Sequence, residues 1–365
     1  FEYVQPHSHI NFVTVSNGYM YLSLRSFACL NKINLETGDL VDSIGGLEST
    51  YTILDSNGDA FEATEIDGVS PWHHQHHFEH LDDTLFALFD NHVDDFKDFI
   101  DNENSKMVVL AVDPEVKTAQ IIFSYDVGEQ ALIYGSATPL PSGNILGNSY
   151  PTVVYPLVKD RSYHANIWEA TPDGDLAWRF AIHGSNPWGW EAAHEDNKEG
   201  VSGDLEAALA AAKDTSAPYW RAVAPCEEAP TGWVIYNVER FYDHPVTSAP
   251  CYSPEGMESS AEVRFMAFNS VRSQEHIAGT ASLLLGEVML TQDDLTFHKS
   301  FLPVDMNIAV PNGVDAELET GLTLRLENGW GEVGEWPLGR LVDLPRCSEA
   351  PTSGTRLFKP QQQQK

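Results

Sequence analysis

Short apolar runs that alternate with polar residues dominate the chain, and turn residues separate them. This period of two predicts β-strands, because successive side chains of a strand point to opposite faces. The first four runs are joined by Asn-Gly and Thr-Gly-Asp turns, which favour antiparallel neighbours. They cover residues 9–15, 19–24, 29–35 and 40–45. The pattern predicts a four-stranded meander at the start of the chain.

The same arrangement recurs twice. A second unit covers residues 76–82, 84–90, 106–114 and 118–125, and a third covers 137–150 and 164–180. In each unit the outer hairpin consists of two apolar strands joined by a polar turn. Repetition of a four-stranded unit is typical of a β-propeller. Residues 1–180 are therefore predicted to form about three propeller blades, with insertions at 47–72 and 92–105.

The second half of the chain follows a different pattern. Residues 181–230 predict an irregular connection with one short, Ala-rich helix at 204–214. Alternating runs return in 231–347 and predict a small antiparallel sandwich or a closing blade. They cover residues 232–241, 261–271, 281–290, 296–302 and 322–329. Residues 348–365 have too few apolar side chains to pack and predict an extended tail. The expected fold class is all-β, with propeller blades followed by a C-terminal antiparallel module.

Composition removes several classes of function. The chain has 365 residues, with 21 Lys and Arg against 54 Asp and Glu, and a formal net charge of −33. Such a surface repels phosphate, so we expect no nucleic-acid partner. No apolar run reaches the ~18–20 residues that a membrane span needs. The acidic segment 92–105 lacks the ligand spacing of an EF-hand, so it predicts a solvated loop and leaves calcium binding open.

Four cysteines occur, at positions 29, 226, 251 and 347, and none has the C-x-x-C spacing of a zinc ribbon or a redox site. Cys226 and Cys251 flank a loop rich in Pro and aromatic residues. We expect a disulfide between them. The chain opens at Phe1 inside an apparent strand, which indicates a processed or partial chain.

Histidine is the residue that suggests chemistry. Five histidines fall within residues 72–80, and two more open the first strand; they are His73, His74, His76, His77, His80, His7 and His9. Inner strands of a propeller line its axial channel, so these imidazoles are predicted to converge there. Alternation places His7 with His9, and His74 with His76, on one face.

Three interpretations stay open at this point. One imidazole acts as a nucleophile while neighbouring groups bind an anion. Alternatively, His7, His9, His74 and His76 together bind copper or zinc. The third interpretation makes the histidines polar fillers of a wet channel.

Several short strings occur together in one order. They are HIN at 9–11, SLR ending at Arg25, KINLETGDL at 32–40, IGG at 44–46, QHH at 75–77, LFDN at 88–91 and LPSGNIL at 140–146. In order and rough spacing the chain resembles the arylsulfotransferase-like β-propellers. The resemblance covers residues 1–180 well and the remainder only loosely.

The resemblance implies transfer of a sulfuryl group from an aryl sulfate to a phenol, without a nucleotide donor or another cofactor. His76 matches the transiently sulfated nucleophile, and His9 with Arg25 matches the anion-binding pair. A planar guanidinium suits the three oxygens of that group. His7, His74, His77 and Trp72 are further candidates for contacts with the substrate.

This sequence departs from the family in one respect. The family's propeller has six blades and begins well before the HIN strand. We therefore expect an upstream fragment or partner protein to complete the ring. The alternative function is a non-catalytic propeller used for assembly. The resemblance and the expected disulfide together predict a secreted, periplasmic or organelle-lumen protein.

Overall fold

A computed structural model describes residues 9–63, 69–93, 103–151, 163–182, 235–254, 261–273, 275–316 and 321–348. Every regular element in these ranges is a β-strand, apart from short 3₁₀ turns such as Arg25–Phe27 and Leu341–Asp343. The all-β prediction is confirmed. The expected helix at 204–214 and the tail beyond Ser348 lie outside the described residues. No described helix is long and apolar enough to cross a membrane.

The first sheet is the predicted meander. Its strands are β1 (Ile10–Ser16), β2 (Tyr19–Leu24), β3 (Cys29–Asn34) and β4 (Leu40–Gly45), hydrogen-bonded in that order. All pairs are antiparallel. The Asn-Gly turn predicted between β1 and β2 has positive φ at both residues, as this type of tight hairpin requires.

The second sheet has five strands. The four predicted ones are β6 (His76–Asp82), β7 (Leu85–Asp90), β8 (Lys106–Asp113) and β9 (Thr118–Asp126). The strand β5 (Thr52–Leu54) adds to β9 in parallel, so part of the expected insertion at 47–72 extends the sheet. The β6 strand is almost wholly buried and carries a bulge between His76 and Glu79. This bulge re-aims the side chains at the start of the strand.

The third sheet completes the series of meanders. It consists of β10 (Ser136–Pro139), β11 (Ile145–Ser149), β12 (Ala165–Ala170) and β13 (Leu176–Ile182) in sequential order. All three sheets thus have the blade-like connectivity that the repeat predicts.

The C-terminal strands form two antiparallel sheets around one core. They are β14 (Val246–Ser253), β15 (Glu262–Phe268), β16 (Ile277–Leu285), β17 (Val288–Phe297), β18 (Val304–Ala309), β19 (Leu322–Asn328) and β20 (Val333–Gly339). The sheet orders are β14-β15-β18 and β17-β16-β19-β20. Phe265 from one sheet and Phe297 from the other belong to the same buried cluster. The two sheets therefore share one core, as in a β-sandwich.

Two sequence expectations for this half are wrong. The disulfide joins Cys251 to Cys347, not to Cys226, because the Tyr252 carbonyl accepts a hydrogen bond from the Cys347 amide and brings the C-terminal segment alongside β14. The apolar run at 232–241 forms no strand over its described residues, 235–241. Side chains hold this segment instead: the Ile235 carbonyl accepts from Asn148 Nδ2, and the Tyr236 hydroxyl donates to the Asn11 carbonyl.

The chain folds as two compact units. The described residues up to Val238, except Pro139–Asn144, form the first unit, and those from Glu239 onward form the second together with Pro139–Asn144. All of the predicted site residues that the structure describes belong to the first unit.

Candidate active site

Two of the strings singled out in the sequence meet at the start of β6. The Gln75 side chain is fully buried, and its amide donates to the carbonyls of Leu24 and Cys29, both at 3.2 Å. From β1, Asn11 Nδ2 donates to the Gln75 carbonyl at 2.6 Å. These bonds tie β6 to the first sheet and fix the position of the next residue, His76.

Asn91 determines the tautomer of His76. The Asn91 amide nitrogen donates to the carbonyls of Ala131 and Tyr134, at 2.7 and 2.9 Å, so its oxygen faces His76. That oxygen lies 2.8 Å from His76 Nδ1 and can only accept. The proton of the neutral imidazole therefore sits on Nδ1, and the lone pair is on Nε2.

The surroundings of His76 also keep the ring neutral. The side chain is 2% exposed. Burial is the largest cause that lowers the pKa of His76 to about 4, and the charges of Arg25 and His9 lower it further, while the Asn91 hydrogen bond opposes them. A neutral imidazole with its lone pair on Nε2 is a competent nucleophile near neutral pH.

Arg25 and His9 lie beside His76, and Arg25 supplies positive charge there. Arg25 begins the 3₁₀ turn that follows β2, and its amide donates to the His9 carbonyl at 2.9 Å. Burial lowers the pKa of His9, and the Arg25 guanidinium lowers it further. The charges of both residues act on His76 as well. The structure therefore brings together the three residues predicted as catalytic.

Aromatic rings surround the His76 imidazole. The ring centroids of Tyr134 and Tyr236 lie 6.0 and 6.3 Å from that of His76, and the two tyrosines are 5.7 Å apart. Burial, together with the neighbouring Tyr134, raises the pKa of Tyr236 to about 12. Its protonated hydroxyl donates to the Asn11 carbonyl. The sequence indicates neither tyrosine, because neither stands in a recognisable string and both come from distant segments.

The other predicted histidines have different surroundings. His74 precedes β6 in a left-handed conformation, so strand alternation with His76 fails, although its ring lies 6.3 Å from that of His76. His77 is 1% exposed and packs on Phe12, with ring centroids 4.1 Å apart. The Asn91 side-chain oxygen accepts a hydrogen bond from the His76 ring, which favours His76 over His77 as the nucleophile.

Trp72 is a core residue in this structure. It is 1% exposed, its indole N–H donates to the Ala28 carbonyl at 2.8 Å, and its ring meets Phe78 edge-on. The ring is thus enclosed by protein, which disagrees with the expected contact with an aryl substrate. His7 lies outside the described residues. Within the described ranges, no group of three His, Cys, Asp or Glu side chains could hold a metal ion, and this includes His9, His74 and His76.

Backbone strain concentrates around His76. His74, His77, His92 and Tyr134 all have φ between 50° and 64°, a region that bulky side chains seldom occupy. The nearby Asp90 holds this backbone, since one carboxylate oxygen accepts from the amides of His73 and His92 at 2.9 and 2.8 Å. Strained residues persist where the surrounding structure over-determines them, and they cluster at functional sites.

Comparisons with known proteins assign no family. The sequence matches no family model, and no curated protein is detectably similar to it. Hydrazine synthase from Kuenenia stuttgartiensis shares 8% identity over 92% of this chain and 70% of its own, with a TM-score of 0.22. The N-terminal domain of Nup159 shares 10% identity over 95% and 66%, with a TM-score of 0.17. Likenesses this weak carry no argument about fold or function.

Proposed function

We propose that this protein transfers a sulfuryl group from an aryl sulfate to a phenolic acceptor, with His76 as the nucleophile. The observation that carries the proposal is the hydrogen bond from His76 Nδ1 to Asn91 Oδ1, because it directs the lone pair to Nε2. A neutral imidazole with its lone pair on Nε2, beside the Arg25 charge, is the form that attack on sulfur requires.

The first step forms a covalent intermediate. Nε2 of neutral His76 attacks the sulfur of the aryl sulfate, an N–S bond forms, and the S–O(aryl) bond breaks. The aryl oxygen leaves as a phenolate with the electron pair and takes a proton from water. The imidazolium that results keeps its proton on Nδ1, where the Asn91 carbonyl oxygen stabilises it.

The second step is the reverse of the first, with the acceptor phenol in place of the phenol that left. The acceptor phenol loses its proton to water, its oxygen attacks the sulfur, and the N–S bond breaks. The electron pair returns to Nε2, which restores the neutral imidazole. Splitting the transfer in this way lets one nucleophile serve both substrates.

Arg25 and His9 are suited to stabilise the charge on the transferred group. The chain has a net charge of −33, so attraction for a sulfate has to come from local cations. The guanidinium of half-buried Arg25 presents several N–H donors to the equatorial oxygens. Donors that are fixed before the reaction cost no reorganisation when charge develops.

Tyr134 and Tyr236 are suited to contact the aryl ring. Their ring centroids are within 6.3 Å of that of His76. Aromatic pairs favour offset or edge-to-face contacts at such separations, worth about 0.5–1.5 kcal/mol beyond area burial. This contact favours aryl over alkyl sulfates.

Turnover of a chromogenic aryl sulfate in the presence of phenol tests the proposal. His76→Asn is the sharpest variant, since an Asn amide N–H can still donate to Asn91 while Nε2 is lost. We expect wild type to release the chromophore and His76→Asn to release none above background. The proposal is contradicted if the folded wild-type protein, assayed together with any partner that it binds, shows no turnover.

We also propose a location for the protein. The Cys251–Cys347 disulfide supports a secreted, periplasmic or organelle-lumen location, since disulfides are rare in reducing compartments. Thiol labelling of protein taken directly from its native source tests this. Labelled Cys251 and Cys347 would contradict it.

A further inference from the structure

A cavity of about 140 Å³ lies between the first and second sheets, away from His76. Its apolar floor comprises Leu30 and Ile44, and its walls comprise Tyr21, Tyr51 and Phe86. All five side chains are at least nine-tenths buried. None of the residues described around His76 lines this cavity.

The volume sets the size of a ligand. An apolar protein cavity of about 150 Å³ holds one benzene ring. The space between Tyr21, Tyr51 and Phe86 therefore suits a single aromatic ring, and the neighbouring aromatic side chains offer it edge-to-face contacts.

The two carboxylates at the rim of the cavity, Asp42 and Asp83, both have partners within the protein. Asp42 accepts two bonds from Lys117 Nζ, at 2.8 and 3.0 Å. Asp83 accepts from the Tyr21 hydroxyl at 3.3 Å and pairs with His80 Nε2 at 3.1 Å. Both carboxylates thus have protein partners that the ligand does not have to replace.

Among the described residues, no carboxylate lies within ion-pair distance of Lys32, although the Lys32 charge acts on Asp83 together with that of His80. The Lys32 Nζ lies 4.2 Å from the ring centroid of Tyr19 and 5.6 Å from that of Tyr21. Cation–π contacts hold an ammonium in place without neutralising it. An ammonium group fixed at the rim of an apolar cavity favours a ligand whose ring enters the cavity and whose anionic group stays at the rim.

We infer that this cavity is a binding site for a small aromatic carboxylate, with the ring among Tyr21, Tyr51 and Phe86 and the carboxylate on Lys32. Benzoate is the simplest member of this class. The inference does not depend on the proposed sulfuryl transfer, because the two sites share no residue.

Calorimetric titration of the full chain with benzoate tests the inference. Lys32→Met removes the charge and keeps the apolar stem, so we expect affinity to fall about tenfold, as one partly screened charge pair would give. The matched control is Lys106→Met, which makes the same change in net charge at a lysine paired with Glu103 on the exposed surface. Its benzoate affinity should equal that of wild type.

Ligand analogues keep the test decisive if Lys32→Met fails to fold. In wild type, benzoate should bind more tightly than benzyl alcohol, and added salt should weaken only benzoate. Benzylamine binding more tightly than benzoate, equal affinities for benzoate and benzyl alcohol, or no saturable benzoate binding would each overturn the inference.

Discussion

Asn91 is the residue that gives His76 its chemical character. The sequence predicts His76 as a nucleophile from a resemblance, but it does not predict which nitrogen carries the lone pair. That property depends on Asn91, whose own orientation depends on the carbonyls of Ala131 and Tyr134, forty or more positions along the chain. Sequence patterns indicate which strand a residue belongs to, whereas a tautomer depends on contacts between segments far apart in sequence.

Replacing Asn91 with Asp should raise the pKa of His76. A carboxylate beside Nδ1 favours the charged imidazolium, against the burial that holds the wild-type pKa at about 4. Titration of the histidine resonances by NMR measures this pKa, and His76→Asn identifies the resonance that belongs to His76. An unchanged pKa in Asn91→Asp would contradict the role assigned to Asn91.

Acid should destabilise the fold through His76. The pKa of His76 is about 4 in the folded chain against the ordinary histidine value of 6.5, so between these pH values the unfolded chain binds more protons. The stabilisation linked to the lowered pKa of His76 is therefore fully present above pH 6.5. As the pH falls toward 4, the free energy of unfolding decreases by up to about 3 kcal/mol. Denaturant unfolding of wild type and His76→Asn across this range measures the difference, and parallel curves would contradict the prediction.

At the scale of elements, alternation and turn residues predict the blade strands well. All four strands of the first sheet and the four predicted strands of the second lie within about two residues of their predicted bounds. The pattern misses β5, which has three residues, and β14 and β20, which carry proline. It also misses β18, although the six residues of that strand alternate. It also predicts a strand at 232–241, where side-chain hydrogen bonds replace a backbone ladder over the described residues 235–241.

The Gly-Gly string at the end of β4 has a steric cause. Gly45 has φ of 84°, and a Cβ there would lie 2.5 Å from Ser70 Oγ and 2.7 Å from the Ala28 carbonyl oxygen. Gly45→Ala should therefore cost about 1–3 kcal/mol beyond the conformational penalty. The control is Gly128→Ala, at φ of 71° with nothing within 4 Å. Equal losses of unfolding free energy in the two variants would contradict the steric explanation.

At the scale of the whole molecule, composition and length say less about function and disulfide pairing than the long-range contacts do. The charge of −33 is compatible with many functions, and the positive charge that favours an anionic substrate comes from Arg25 beside His76. The sequence also could not fix the disulfide, because pairing depends on the path of the C-terminal segment along β14. Both properties arise from long-range packing.

Reduction of the disulfide should destabilise the C-terminal sandwich. Cys251 and Cys347 are 96 positions apart, and closing a loop of this length stabilises a fold by about 4–5 kcal/mol in the chain-entropy treatment. Thermal unfolding with and without a reductant should show a lower transition for the sandwich. Identical transitions, with reduction verified by thiol titration, would contradict the prediction.

Sulfation of His76 is the step on which the proposed function depends, and trapping the sulfated residue tests it most directly. The protein is mixed with an aryl sulfate in the absence of acceptor, quenched at alkaline pH and analysed by peptide mass spectrometry. We expect the added mass of one SO₃ on the peptide that contains His76, absent in His76→Asn and lost when phenol is added. Chromophore release with no modified His76, or modification of a different residue, would contradict the mechanism.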